Sequence, residues 1–462
     1  MMATLFALLV LSCSLFSQTL AIAPRVHQGC TAVGFHVYCY GGYQSATHGG
    51  FTNISSDHIS ADLSSIDTTS ATPTFDNWTT LDTSNLVGVR ALFSITALDD
   101  TRYMIAGGRL LNATMDTPAV LYDTSNNTWS ALSTPPFYTY GGIIMSSDAS
   151  TTWAYGGKLN GTQQTAPSNT LKLDLTSLPG TWTPHAGGVG NPGKGRYGHA
   201  AIFQDELIFY FGGFYPPPSP GNASIPVTMM NISFYNTVSD QWGLIYSGGD
   251  QPRTRRHHTA TLISSSKVLI YGGTGSDMIQ ALPLLDYCYI YDMVTHNYTL
   301  IDPGKGNFDG PLMGHSVVQY KHYVYIMFGY NSGGYLSNDV HVLDVMNASN
   351  PTWASGSSPS PSEPDRTNKG AIIGGVIGGV VFVAIIAGAL IYWRRKKRTS
   401  PTTRNDFDID QPQPPPAFTA PTFLGKSPDT YAMGDAVPVY QSRKPDDSSS
   451  PAVPTIKPSA AE

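Results

Sequence analysis

Charge is scarce in this chain. Only 13% of its 462 residues are Asp, Glu, Lys or Arg, about half the usual share of a soluble domain. Runs of Ala, Glu, Lys and Leu that would favour helices are missing outside one apolar stretch near the C-terminus. The net charge is −6, and the tail after Trp393 holds ten Lys/Arg and eight Asp/Glu, leaving 16 against 24 before it. An acidic main body without a basic stripe argues against nucleic acid as partner. No nucleophile elbow, phosphate loop or zinc-spaced His/Cys cluster is found. What is abundant, 46 Gly, 34 Pro and 11% aromatic residues, suits an all-β protein with many turns.

Long apolar runs are limited to two. Leu5–Phe16 is too short for a span and is followed by small residues, which predicts a secretory signal over residues 1–23 with cleavage after Ala21 or Ala23. Ala371–Trp393 holds 23 residues without a charge, about 34 Å as a helix against a hydrocarbon core of roughly 30 Å. Arg394-Arg395-Lys396-Lys397-Arg398 follows it and predicts a type I orientation, with everything before Ala371 outside. Gly370, Gly374 and Gly378 lie four apart, a spacing that lets two such helices pack closely. Residues 354–370 read as a Ser/Pro stalk. Residues 394–462 read as a disordered cytoplasmic tail. Within it Gln411–Phe418 (QPQPPPAF) could meet an SH3 or WW domain as polyproline II. The expected location is the plasma membrane or another membrane of the secretory route.

Cysteine is limited to four residues, and Cys13 falls in the signal. If Gly34-Phe35 is a two-residue hairpin turn, counting outward pairs Cys30 with Cys39 at a non-hydrogen-bonded position. The Cα separation of such a pair, about 4.5 Å, is within reach of a disulfide. A secreted chain would oxidise the two. Cys288 is left over and reads as a buried strand residue.

Between residues 24 and 353 a pattern recurs. An apolar run ends in a glycine doublet at Gly41-Gly42, Gly107-Gly108, Gly156-Gly157, Gly212-Gly213 and Gly272-Gly273. A sixth run, YIMFGY, keeps Gly329 and places Tyr330 where the second glycine is expected. After each doublet comes an apolar residue with Asp or Asn, a turn and an aromatic residue. Examples are Tyr122-Asp123 to Trp129, Tyr235-Asn236 to Trp242 and Tyr291-Asp292 to Tyr298. In the first unit the corresponding pieces are Ile66-Asp67 and Trp78, with a longer insertion. The Asp or Asn caps a turn after a strand, and the Trp fills space between sheets. Each unit thus reads as four antiparallel strands with both faces apolar, and stacking such units in a ring removes the open ends.

These units resemble kelch repeats, over roughly Gln28 to Trp353. The resemblance lies in the galactose oxidase/kelch-like superfamily and extends to membrane-anchored, secreted kelch proteins of the fungal type. It implies a six-bladed β-propeller, with seven blades as the alternative. The superfamily also contains copper radical oxidases. Their copper takes two His and a Tyr, with a second Tyr cross-linked to a Cys. Here His199, His258 and His315 recur at one point of three repeats, with His257 beside His258, which predicts a structural role for them. The cysteines fit such a site poorly. The expectation is therefore no enzyme, no cofactor and no metal. Hydrolysis by a carboxylate pair stays an open alternative, since chain order does not say which Asp residues meet.

Binding is the expected role, with protein or carbohydrate outside the cell as ligand. A receptor signalling through the Pro-rich tail is a further alternative. The loops after the doublets vary most, and such loops carry recognition on rigid scaffolds. Phe214 and Tyr215, at an apolar loop tip, and Arg253, Arg255 and Arg256, as anion holders, are the candidate ligand-face residues. Nine Asn-x-Ser/Thr sequons, at Asn53, Asn77, Asn112, Asn126, Asn160, Asn222, Asn231, Asn297 and Asn347, all precede the span, which fits a glycosylated outer domain.

Overall fold

The computed structural model describes residues 22–354, apart from 48–49, 65–77, 110–116, 137–138, 160–167, 186–190, 193, 218–221, 276–280 and 305–309. The leader up to residue 21, the stalk, the span at 371–393, the tail and the sequons at Asn77, Asn112 and Asn160 lie outside the described residues. Among the described residues, no helix is long and apolar enough to cross a membrane.

Six antiparallel sheets form a propeller, five of four strands and one, blade 5, extended by the short parallel strand Gly248–Gly249. Blade 1 is built from Gly29–Val33, His36–Tyr40, His58–Asp62 and Thr79–Leu81. Blade 4 is built from Ala200–Gln204, Leu207–Phe211, Asn231–Asn236 and Gln241–Tyr246. The others begin at Ser94, Ile143, Thr259 and Ser316. The first strands stand side by side around the axis, and that of blade 1 contacts those of both blade 2 and blade 6. The ring therefore closes with six blades, each made from one continuous stretch of chain.

The strand sequences follow from burial. Second strands such as Leu207–Phe211 and Tyr323–Met327 are covered by blades on both faces and read as unbroken apolar runs. Fourth strands are only partly covered, as in Gln241–Tyr246, where Trp242 is buried while Leu244 and Tyr246 on the same face are exposed. An apolar layer fills each gap between blades. Between blades 6 and 1 it joins Val37, Cys39 and Ile59 to Tyr325 and Val342. Between blades 3 and 4, Trp242 stacks on Tyr210 at 5.3 Å and meets Tyr155 at 4.9 Å. Each such buried side chain contributes roughly 1.5–3 kcal/mol, against about 0.5–1.5 kcal/mol for a typical hydrogen bond. These layers hold the ring, and the hydrogen bonds set its register.

The expected Asp/Asn turn appears six times. Asp62, Asp123, Asp174, Asn236, Asp292 and Asp344 each end a third strand and accept the amide of the residue two positions on, at 2.7–2.9 Å. In blade 1 the capping residue is Asp62 rather than Asp67, because the third strand ends before the insertion. Cys30 pairs with Cys39 across the first hairpin, and the two form the disulfide. Gly34 has φ +57° at the first turn position. Cys288 is buried.

Candidate interaction face and axial channel

The chain reaches each blade through a short lead-in before the first strand. The lead-ins are Arg25-Val26-His27-Gln28, Arg90-Ala91-Leu92-Phe93, Thr139-Tyr140-Gly141-Gly142, Arg196-Tyr197-Gly198-His199, Arg255-Arg256-His257-His258 and Leu312-Met313-Gly314-His315. Each of the four positions has its own role.

At the first position, Arg25, Arg90, Arg196 and Arg255 are fully buried. Each donates from its guanidinium to the carbonyl of the first doublet residue in its own blade, Gly41, Gly107, Gly212 or Gly272, at 2.9–3.4 Å. Their own carbonyls serve the preceding blade. Gly42 donates to Arg90, Gly157 to Arg196 and Gly213 to Arg255, and Gly329 of blade 6 donates to Arg25, at 2.8–3.0 Å. Each arginine therefore ties its own blade to the one before it.

This geometry explains the doublet. A Cβ on Gly272 would lie 2.1 Å from the Leu312 carbonyl, at a φ of +67°. Blade 6 departs from the pattern at a different place from the one expected. Gly329 fills the second doublet position, and Phe328, at φ +62°, fills the first. Tyr330 is the residue that follows the doublet.

At the second position the lead-in pairs with the residue after the doublet. The pairs are Val26–Tyr43, Ala91–Arg109, Tyr140–Lys158, Tyr197–Phe214, Arg256–Thr274 and Met313–Tyr330. Every variable loop therefore starts from a fixed point.

At the third position all six residues have φ between +55° and +68°. Their amides and carbonyls form one closed circuit around the axis. His27 donates to Gly314, Gly314 to His257, His257 to Gly198, Gly198 to Gly141, Gly141 to Leu92 and Leu92 to His27, at 2.7–3.0 Å. Nothing in the residue types announces this circuit, because glycine occupies only three of the six positions. The His27 and His257 rings meet edge to face at 4.4 Å.

At the fourth position, His199, His258 and His315 are wedges between blades. A Cβ on Gly156, Gly212 or Gly272 of the preceding blade would come within 2.7–3.0 Å of their Cε1 atoms. Burial drives all three imidazoles below the ordinary histidine value, His315 to about 3. They are kept neutral and spaced by the repeat. Among the described residues, no group of three or more His, Cys, Asp or Glu is placed to hold a metal.

Past the circuit, the first strands of all six blades line an axial cavity of about 420 Å³. Among the described residues, no Asp, Glu, Lys or Arg lines it; its polar groups are hydroxyls, such as those of Thr31, Ser94, Thr96, Thr259 and Ser316, together with Gln28, Gln319 and the three wedge histidines. Ser94 and Thr96 accept the edge amides of Ile144 and Ser146 in blade 3.

The ligand-face residues expected from sequence separate into different environments. Phe214 is 3% exposed, because it is the clamped residue after a doublet. Arg255 is 0% exposed and belongs to the blade-linking set, with Asp286 at 2.8 Å. Arg256 is buried, stacked over Phe214 at 5.6 Å and Tyr197 at 6.0 Å. Tyr215 is half-buried under Arg196. Arg253 is exposed, but it shares Asp286 with Arg255. Burial pushes the Asp286 carboxyl up, and the two arginines outweigh this and hold it below the ordinary range. Phe214, Arg255 and Arg256 are thus framework residues and not part of an open binding surface. Among the described residues, exposed apolar groups of the doublet-side loops include Ile225, Leu282, Leu285 and Tyr335, from the loops of blades 4, 5 and 6. Ile225, Leu282 and Leu285 lie in the variable loops expected to carry recognition, but a single apolar residue in a loop has no periodic signal that would single it out.

Six blades on one four-strand plan, each with a doublet position, an Asp or Asn capping the turn after its third strand and an aromatic residue in or beside its fourth strand, define a kelch-type propeller. A family model, the KLHDC2/KLHL20/DRC7 Kelch-repeats domain, matches residues 144–383. The chain belongs to the kelch-repeat family, whose propellers suggest a protein-interaction role. Tip elongation aberrant protein 3 of Schizosaccharomyces pombe is 32% identical over 114 residues, 24% of this chain and 10% of that protein. Kelch domain-containing protein 3 of Homo sapiens is 28% identical over 181 residues, 37% of this chain and 43% of that protein. The chain thus spans less than half the length of these relatives. A solved structure of YjhT matches with a TM-score of 0.51 at 13% identity, covering 71% of this chain and 97% of that one, a likeness of fold.

Proposed function

We propose that this is a non-catalytic, membrane-tethered kelch propeller that binds a protein partner outside the cell through its doublet-side loops. The observation that carries the reading is the fixing of all six loop starts. Each loop leaves from a residue paired to its own lead-in, so its tip is held by a rigid frame, as recognition loops are. Ile225, Leu282, Leu285 and Tyr335 then present apolar surface on three successive blades, which favours protein over carbohydrate. The predicted signal and the basic run after Trp393 support a type I placement in the plasma membrane or another secretory membrane. The Pro-rich segment Gln411–Phe418 is a candidate for an SH3 or WW partner on the other side.

The test is a screen of the soluble ectodomain, residues 22–369, against protein and glycan arrays, followed by Leu282→Asp, Leu285→Asp and Tyr335→Asp. A protein ligand whose affinity falls at least about tenfold, with the unfolding midpoint unchanged, supports the reading. Unchanged binding by all three variants excludes this face, and a glycan ligand excludes the choice of protein.

A further inference from the structure

A further exposed apolar patch lies on the outer strand of blade 4, at the end of that strand level with the doublet Gly212-Gly213. Trp242, Leu244 and Tyr246 alternate along its fourth strand and share one face. Trp242 is buried against blade 3. Further along the strand that cover ends among the described residues, and Leu244 and Tyr246 are 44% and 71% exposed. Met230, just before the third strand, is exposed as well. The residue directly across the ladder from Tyr246 is Asn231, which begins the sequon Asn231-Ile232-Ser233. Directly opposed residues hold their Cβ atoms about 4.5–5.5 Å apart on the same face.

We infer that Asn231 carries an N-linked glycan whose first sugar packs on the Tyr246 ring and covers this patch. The inference rests on the secretory reading of the chain. A sugar presents a face of C–H groups that an aromatic ring accepts, and its hydroxyls then turn to water, so a wet apolar patch becomes a solvated one. The other sequons in the described residues lack this arrangement. Asn126 and Asn347 lie in turns, where their side-chain oxygens accept the amides of Thr128 and Ser349. Asn53 donates to Gln44. The Asn297 oxygen lies 2.6 Å from where a Cβ of Gly248 would be. Asn222 is exposed in a loop. The Ser233 hydroxyl accepts from Arg196 at 2.6 Å and is buried in the fold, so attachment precedes closure of blade 4.

The experiment expresses the full chain in cells with an N-glycosylating secretory pathway and reads each sequon by glycopeptide mass spectrometry. Nearly complete occupancy at Asn231 is expected. Occupancy at other sequons with Asn231 bare overturns this inference and leaves the secretory reading standing. No occupancy at any sequon overturns both. The packing is tested by trimming the glycans to their first sugar and comparing unfolding midpoints with fully deglycosylated protein. The trimmed form is expected to melt higher, by a margin lost in Tyr246→Ala and in Asn231→Gln. An equal margin in Tyr246→Ala shows that the sugar does not use the ring and overturns the packing.

Discussion

The amide of His27 donates to the carbonyl of Gly314 at 2.8 Å, joining the start of the propeller to its last blade. Around it, Arg25 donates its amide to Ser337, Gly329 donates to Arg25, and Asn338 donates to the Ile22 carbonyl. Seven residues that belong to no blade, 22–28, thus add hydrogen bonds to the closure that the apolar layer between blades 6 and 1 makes. In the secretory reading, cleavage after Ala21 keeps the Ile22 contact and cleavage after Ala23 removes it. The expected mature N-terminus is Ile22, read by N-terminal sequencing. An ectodomain that starts at Gly29 is expected to be open between blades 1 and 6 and to be cut there first in limited proteolysis.

The doublet positions allow a prediction whose sign is not the one that the repeat pattern suggests. Gly272→Ala places a Cβ against the Leu312 carbonyl at a left-handed φ and is expected to cost about 2–4 kcal/mol, from strain and a displaced carbonyl. Phe328→Gly restores the missing glycine of blade 6 and relieves roughly 1–2 kcal/mol of left-handed strain. It also removes a fully buried aromatic side chain, a loss of about 3–5 kcal/mol. The net effect is destabilisation, measurable by denaturant unfolding. A more stable Phe328→Gly protein would show that the ring fills no useful space.

Arg253 and Arg255 share Asp286 yet should respond differently. Arg253 is 60% exposed, so Arg253→Ala is expected to cost no more than about 1 kcal/mol. Arg255 is fully buried and also donates to the carbonyls of Gly272 and Asp286. Arg255→Ala leaves those acceptors dry and unpaired, and the expected loss is about 3 kcal/mol. Comparable losses in the two proteins would contradict the assignment of Arg255 to the framework.

The periodic parts of this fold were legible in the chain. Asp123, Asn236 and Asp292 end strands and cap turns because a short acceptor at that point satisfies the next amides, and this local requirement is written in residue type. The Cys30–Cys39 pairing followed from a count outward from Gly34-Phe35, since hairpin register is local. The lead-ins were less legible. Arg255 looked like a surface cation because arginine is usually solvated, and only the approach of a neighbouring blade shows that its fork is filled by carbonyls. Phe214 looked like a loop tip, but its pairing with Tyr197 spans the blade. The axial circuit uses backbone groups alone, so His27 and Leu92 stand where glycine would have been the signal.

Among the described residues, six histidines, His27, His58, His199, His258, His315 and His341, are buried. Burial lowers every one, to about 3 for His27, His315 and His341 and about 4 for His58, with His199 and His258 well below the ordinary value. The folded protein keeps them neutral at a pH where the unfolded chain, with a histidine value near 6.5, already takes up protons. Their contribution is complete above about pH 6.5 and is lost as pH falls from there toward the folded values. Each adds a slope approaching 1.4 kcal/mol per pH unit in that window. Denaturant midpoints measured between about pH 7.5 and about pH 4.5 should therefore fall steeply below 6.5. Blade 1 already carries Gln28 at the position of His315, so His315→Gln is the mildest way to remove one titrating group. That variant is expected to show a shallower acid slope, and an unchanged slope would mean that the His315 imidazole is not held neutral by its place between the blades.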